Sequence, residues 1–202
     1  MNKKLFTIGH STHTIEKFIQ LLNQHDINCI VDVRSTPYSQ YIPTFNKENI
    51  SIELKSRNIQ YIHMGNEFGA RRDNGELYSE DGRLDFEKTV KDKAFQEGIK
   101  RIENGLEKGY RIAFMCAEKN PVDCHRCILV GKAFYDLGYD VDNILESGKV
   151  LTQKQVGILL LDKYFPKREQ LSFLDKKPEE RDAYRKRAEE IAYRKTETEV
   201  NE

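Results

Sequence analysis

Residues 111–127 read RIAFMCAEKNPVDCHRC: an apolar run ending in a cysteine, a polar bend through Pro121, then a second cysteine followed by histidine and arginine. The apolar run is short for a helix and suits a pleated, buried strand. Beyond the bend, 123–137 has helical spacing and stops at Gly138, a residue type that ends helices in a left-handed turn. Strand, loop and helix make half of a βαβ unit, and the same unit recurs outward from here. LFTI (5–8) reads as a strand ending at Gly9, after which Ile15, Phe18, Ile19 and Leu22 line one face of a helix over 14–25. CIVDV (29–33), a weaker helix over 47–57 and IQYIHM (59–64) repeat the pattern. Phe86, Val90, Ile99, Ile102 and Leu106 mark a long helix leading back to 111–116, and VDNIL (141–145) is a fifth strand. Thr152 and Gln155 form a capping box ahead of Val156, Leu159, Leu160 and Tyr164. Such alternation predicts an α/β fold: a mostly parallel sheet of about five strands with helices on both faces, in three Rossmann-like layers.

The chain of 202 residues is long enough for one domain with a sizeable core, which this reading places at 1–166. The remainder, 167–202, is expected to be a charged helical or partly disordered tail. Its stretch EERDAYRKRAEEIAYRK is polar almost all round, as in a helix that is solvated or binds a partner. Basic and acidic residues number 33 each, so the net charge is zero. That excludes bulk attraction to duplex nucleic acid and leaves a local basic cleft open. No apolar run approaches the roughly 18 residues that span a bilayer. Four cysteines, at 29, 116, 124 and 127, are too few and too uneven for a secreted disulfide framework. The expectation is a cytoplasmic protein with reduced thiols and no membrane association.

In an open parallel sheet, ligands bind beyond the carboxyl ends of the strands. Applied here, that rule gathers distant residues at one edge: His10 and Ser11 after the first strand, Asp32 and Arg34 at the second, His63 at the third, Cys116 and Glu118 at the fourth, and Cys124–His125–Arg126 opening the next helix. Each also has a plainer reading. His10 and Ser11 serve a turn and a helix cap, Asp32 pairs with Arg34, and Cys29 is a small core hydrophobe. Residues 65–84, with four glycines, form a long loop whose Arg71 and Arg72 are either solvated or a lid over an anion.

Four chemistries compete for residues 116–127. A thiol at a helix start beside His125 and Arg126 has a lowered pKa, which makes Cys124 a candidate nucleophile with Glu118 and His125 as its acid–base partners. The phosphate-cradling Cys-x5-Arg loop is absent, since Val122 stands where its arginine would be. Cys124-His125-Arg126-Cys127 is a C-x-x-C pair, although it follows a late strand. Cys116, Cys124, Cys127 and a histidine offer zinc donors without the paired spacing of ribbons and fingers, and no metal ligand is assigned. A plain Glu118–Arg126 ion pair closing the loop is the fourth.

Thr7-Ile8-Gly9-His10-Ser11, Asp32-Val33-Arg34 with Pro37 and Ser39, Tyr61 with Gly65 and Gly69, Cys116-Ala117-Glu118 and Cys124-His125-Arg126 occur in that order. Together they resemble the bacterial and archaeal family called domain of unknown function 488, over about 4–165. The resemblance implies an α/β fold and a shared site lined by His10, Ser11, Asp32, Arg34, Ser39, Cys116, Glu118, Cys124, His125 and Arg126. It implies no reaction, and Cys127 lies outside its pattern. The expected function is a small enzyme, or else a binding protein, for a compact anionic ligand such as a nucleotide. In that reading Arg34 and Arg126 grip a phosphate or carboxylate, with Ser11, His10, Ser39 and Cys116 lining the wall. A non-catalytic interaction or nucleic-acid-associated module is the alternative, and no cofactor is identified.

Overall fold

A computed structural model describes residues 4–168 and 179–195. The sheet has order β3-β2-β4-β1-β5-β6, built from β1 (Lys4–Gly9), β2 (Cys29–Asp32), β3 (Gln60–His63), β4 (Ile112–Cys116), β5 (Asp140–Ile144) and β6 (Val150–Thr152). The first five strands run parallel, and β6 lies antiparallel to β5. The sequence predicts about five strands; the sixth is three residues long and runs straight into the Thr152 cap, so it carries no alternation of its own.

Helices α1 (Ile15–Gln24) and α2 (Lys47–Ser56) cover one face. Thr14 caps α1 by accepting the Lys17 N–H, and Phe18, Ile19, Leu21 and Leu22 point into a core with Phe6, Ile8, Ile30, Phe45 and Met115. The opposite face packs against the elements that follow β3 and β4. These are α3 (Gly65–Phe68), α4 (Phe86–Lys91), α5 (Lys93–Glu107), a π-helical segment Arg126–Gly131 and α6 (Lys132–Asp136). Phe68, Phe95, Phe114 and Phe134 form the centre of that second core, with Phe114 and Phe134 stacked at 5.2 Å.

Three expectations are corrected. The long helix over 86–106 is two helices, because Asp92 is extended and its carboxylate caps α5 through the Ala94 N–H. The 65–84 loop holds α3 and a 3-10 turn at Gly75–Leu77, and it buries Leu77, Tyr78 and Leu84. The helix expected over 123–137 begins later: Cys124 is extended, and Arg126–Gly131 winds as a π-helix before α6. Such π-segments recur at functional sites.

Beyond α7 (Gln153–Tyr164) the described part of the charged segment, 179–195, contains α8 (Glu180–Ile191). Although most of α8 is polar, Ala183 and Tyr184 are buried, and Tyr184 Oη accepts from Gln153 Nε2 at 2.9 Å. Residues 169–178 and 196–202 of the expected tail lie outside the described residues. Among the described residues, no helix is long and apolar enough to cross a membrane.

Candidate thiol site at the sheet's switch point

β1 sends the chain to α1 on one face, whereas its neighbour β4 sends it to the π-segment on the other. The crevice where neighbouring connections diverge is the standard ligand position of an open α/β sheet. Here the loop leaving β4 folds across the end of β1: His10 N–H donates to Cys116 O and Ser11 N–H to Ala117 O, both at 2.9 Å. Gly9 makes the crossing possible. A Cβ at that position would stand 2.0 Å from the Glu118 carbonyl oxygen and 3.1 Å from Arg126 Nη2.

Cys116 Sγ, Cys124 Sγ and His125 Nδ1 converge within 4.8 Å of one another. His125 Nδ1 lies 3.8 Å from Cys116 Sγ and 3.9 Å from Cys124 Sγ, while its Nε2 is 3.0 Å from the Val33 carbonyl. A carbonyl there takes a proton from Nε2, which turns Nδ1 toward the sulfurs. Glu118 Oε2 is 2.8 Å from Cys124 Sγ. The thiols are 3% and 2% exposed, whereas Glu118 is an exposed residue and His125 is half-buried.

Below the thiols, Arg126 is 0% exposed. Its Nη1 donates to Glu118 O at 2.7 Å and its Nη2 to Lys119 O at 3.2 Å, while Nε has no partner. Burial opposes ionisation of Cys124, yet the Cys116 hydrogen bond and the charges of Arg126 and His125 outweigh it and hold this thiol well below the ordinary range. Cys116 moves the opposite way, raised by its hydrogen bond to Cys124, by burial and by the neighbouring negative charges. Burial and the Cys124 charge raise Glu118, and the Cys124 charge raises His125 against the pull of burial. The directions oppose one another across the cluster: Cys124 is shifted toward the thiolate, while Cys116, Glu118 and His125 are each shifted toward the protonated form.

A second network lies beside it. Asp32 accepts from Arg34 Nε at 2.9 Å, Arg34 Nη2 at 2.6 Å and Tyr61 Oη at 2.7 Å, while Arg34 Nη2 also donates to Phe45 O at 2.8 Å. Arg34 Nη1 meets His10 Nε2 at 3.2 Å, and His10 Nδ1 lies 3.0 Å from Ser11 O. His10 stacks on Phe45 at 4.4 Å. Burial, aided by the Arg34 charge, lowers its pKa to about 4. A neutral ring that donates from Nδ1 to Ser11 O and accepts at Nε2 from Arg34 satisfies every contact.

The edge gathers His10, Ser11, Asp32, Arg34, Cys116, Glu118, Cys124, His125 and Arg126. Ser39 stays apart: its Oγ accepts the Tyr41 and Ile42 N–H groups, and its N–H donates to Asn46 Oδ1, bracing its own loop. Both guanidinium groups bond protein atoms, Arg34 meeting Asp32, the Phe45 carbonyl and His10, and Arg126 the Glu118 and Lys119 carbonyls. The plain Glu118–Arg126 ion pair is corrected, since Arg126 bonds the Glu118 carbonyl and not its carboxylate. Cys127 turns away from Cys124, its Sγ 3.7 Å from Gln153 Oε1, and burial pushes its thiol up to about 12. The close pair is Cys116 with Cys124, not the C-x-x-C. Tyr61 and Phe45 are the members the sequence reading did not assign to the site. The signal for Tyr61 was its place two residues before His63, which aligns it with Ile30, two residues before Asp32 and on the same side of the sheet.

No curated protein and no solved structure matches the chain. A family model described as Domain of unknown function DUF488 matches residues 14–132, a narrower span than the resemblance suggested. It takes in Asp32, Arg34, Cys116, Glu118 and Cys124–Arg126 but not His10 or Ser11. With that span covering more than half of its length, and with the C-A-E and C-H-R residues folded into one cluster, this chain belongs to the DUF488 family.

Proposed function

We propose that this protein is an enzyme of thiol chemistry acting on a compact anionic substrate. The observation that carries this reading is the Cys124 sulfur itself, 2.8 Å from Glu118 and beside His125 and the buried Arg126. The Cys124 thiolate attacks an electrophilic centre and forms a bond to sulfur, while the departing group leaves with its electron pair and takes the Glu118 proton. The Glu118 carboxylate then draws a proton from water, which attacks the same centre, releases the product and restores the thiolate. His125 and Arg126 balance the sulfur's charge throughout.

A zinc-type centre is the second reading. It is favoured by the convergence of Cys116, Cys124 and His125 within 4.8 Å, with the histidine Nε2 anchored on a carbonyl as metal-bound histidines commonly are. One experiment separates the two: iodoacetamide titration across pH with peptide mapping, alongside metal analysis of protein purified without chelator. The thiol reading expects Cys124 to alkylate with a midpoint below the ordinary thiol range, Cys29, Cys116 and Cys127 to lag, and metal content near zero. About one zinc per chain, with alkylation blocked until chelator is added, establishes the second reading. Four thiols reacting at ordinary rates in metal-free protein sinks both.

A further inference from the structure

The C-terminal segment after α8 returns to the same edge of the sheet. Leu84 N–H donates to Tyr193 O and Lys195 N–H to Gly82 O, each at 2.9 Å, so residues 193–195 dock as a short bridge on the 78–84 turn. This docking closes a cavity of about 470 Å³ whose opposite wall is the chain leaving β2 and β3, including Ser35. Its lining charges are unequal: Arg71, Arg72 and Lys195 against Asp73. Arg71 lies over the Tyr193 ring and Lys195 over the Tyr78 ring, both at 4.6 Å, so aromatic faces hold the two cations in place. Among the described residues neither has a carboxylate partner. Arg72 is 7% exposed, bonds the Asn66 and Glu67 carbonyls through its Nη atoms, and has no partner for Nε.

We propose that this cavity binds a phosphate-bearing small molecule, with Arg71 and Lys195 clasping the phosphate, Ser35 Oγ as a further donor and the buried Arg72 adding its charge from the wall. Two positioned cations facing a third, with one acid nearby, suit a dianion. The site goes beyond the thiol reading and does not depend on it. Two of its members, Tyr193 and Lys195, lie outside residues 14–132, the span the family model matches.

The test is calorimetric titration of the full chain with inorganic phosphate and with adenosine 5′-monophosphate, against sodium chloride of equal ionic strength. The expected result is saturable binding of phosphate, of the nucleotide or of both, weakened about tenfold by Lys195→Gln and further by Arg71→Ala, since each removes one charge-assisted contact. Circular dichroism confirms that the variants fold, and Cys124→Ser retains full affinity. Phosphate heats no different from chloride overturn the proposal, as does binding that survives both substitutions. Loss of phosphate binding in Cys124→Ser alone places the anion at the thiol and also overturns it.

Discussion

Among the described residues, Arg126 is a buried cation with no carboxylate against it, an arrangement that costs several kcal/mol unless a counter-charge is near. The Cys124 sulfur supplies one when it ionises: against the pull of burial on both, the Arg126 charge lowers the Cys124 pKa and the Cys124 charge raises that of Arg126. Replacing Arg126 with Met should raise the pH midpoint of Cys124 alkylation, because it removes a cation that favours the thiolate. It also leaves the Glu118 and Lys119 carbonyls without donors, and urea unfolding should show a loss of about 3 kcal/mol. An unchanged midpoint would break the link between the two residues. His10 gives a second prediction at this scale. Its folded pKa of about 4 is below the ordinary 6.5, so the unfolded chain binds the proton more readily. The contribution of neutral His10 to stability is therefore present above about pH 6.5 and falls away as pH drops from there through 4. The full swing is on the order of 3 kcal/mol. Subtracting the stability–pH curve of His10→Gln from that of the wild type should isolate this slope, and parallel curves would refute it.

At the scale of elements, the thiol cluster depends on how closely the β4 exit loop crosses β1. Gly9→Ala places a Cβ 2.0 Å from the Glu118 carbonyl, a backbone atom that cannot swing aside. The loop must lift, at a cost of roughly 1–3 kcal/mol, carrying Glu118 and the Arg126 contact with it. Denaturant melts should register that loss together with slower Cys124 alkylation; a fully reactive Cys124 in Gly9→Ala would show that the crossing does not set the site. The sequence showed Gly9 only as the end of a strand, since the need for glycine arises from a loop more than one hundred residues away in the chain. The same limit explains the broken helix and the late helix start. Asp92 and the Cys124–Gly131 stretch sit inside apolar spacing that fits one continuous helix, and local capping or π-winding does not alter that spacing.

Across the whole molecule, a buried polar chain ties five elements together. Thr7 Oγ1 donates to Asn143 Oδ1 at 2.7 Å, Asn143 Nδ2 to Gln153 Oε1 at 3.1 Å, and Gln153 Nε2 to both Cys127 O and Tyr184 Oη at 2.9 Å. Through it α8 is fastened to α7, the π-segment and the sheet. Tyr184→Phe should cost about 1 kcal/mol, and Gln153→Ala more, about 2–3 kcal/mol, because it strands several buried partners. Equal and small losses in urea unfolding would mean that α8 rests on the domain without being fastened to it. Tyr184 was not legible as a core residue: in a helix this polar, one aromatic gives no periodic stripe.

From the sequence alone follow the α/β class, the order of the five parallel strands along the chain, and the placing of Cys116, Glu118 and Cys124–Arg126 at the carboxyl edge. These depend on side-chain periodicity and chain direction, both written locally. Only the tertiary structure decided that Arg34 and Arg126 face inward, that Cys116 and not Cys127 partners Cys124, and that residues 193–195 help wall the Arg71–Arg72 cavity. Each of those depends on which distant backbone carbonyl, ring or turn a side chain meets, and spacing along a chain carries no record of such meetings.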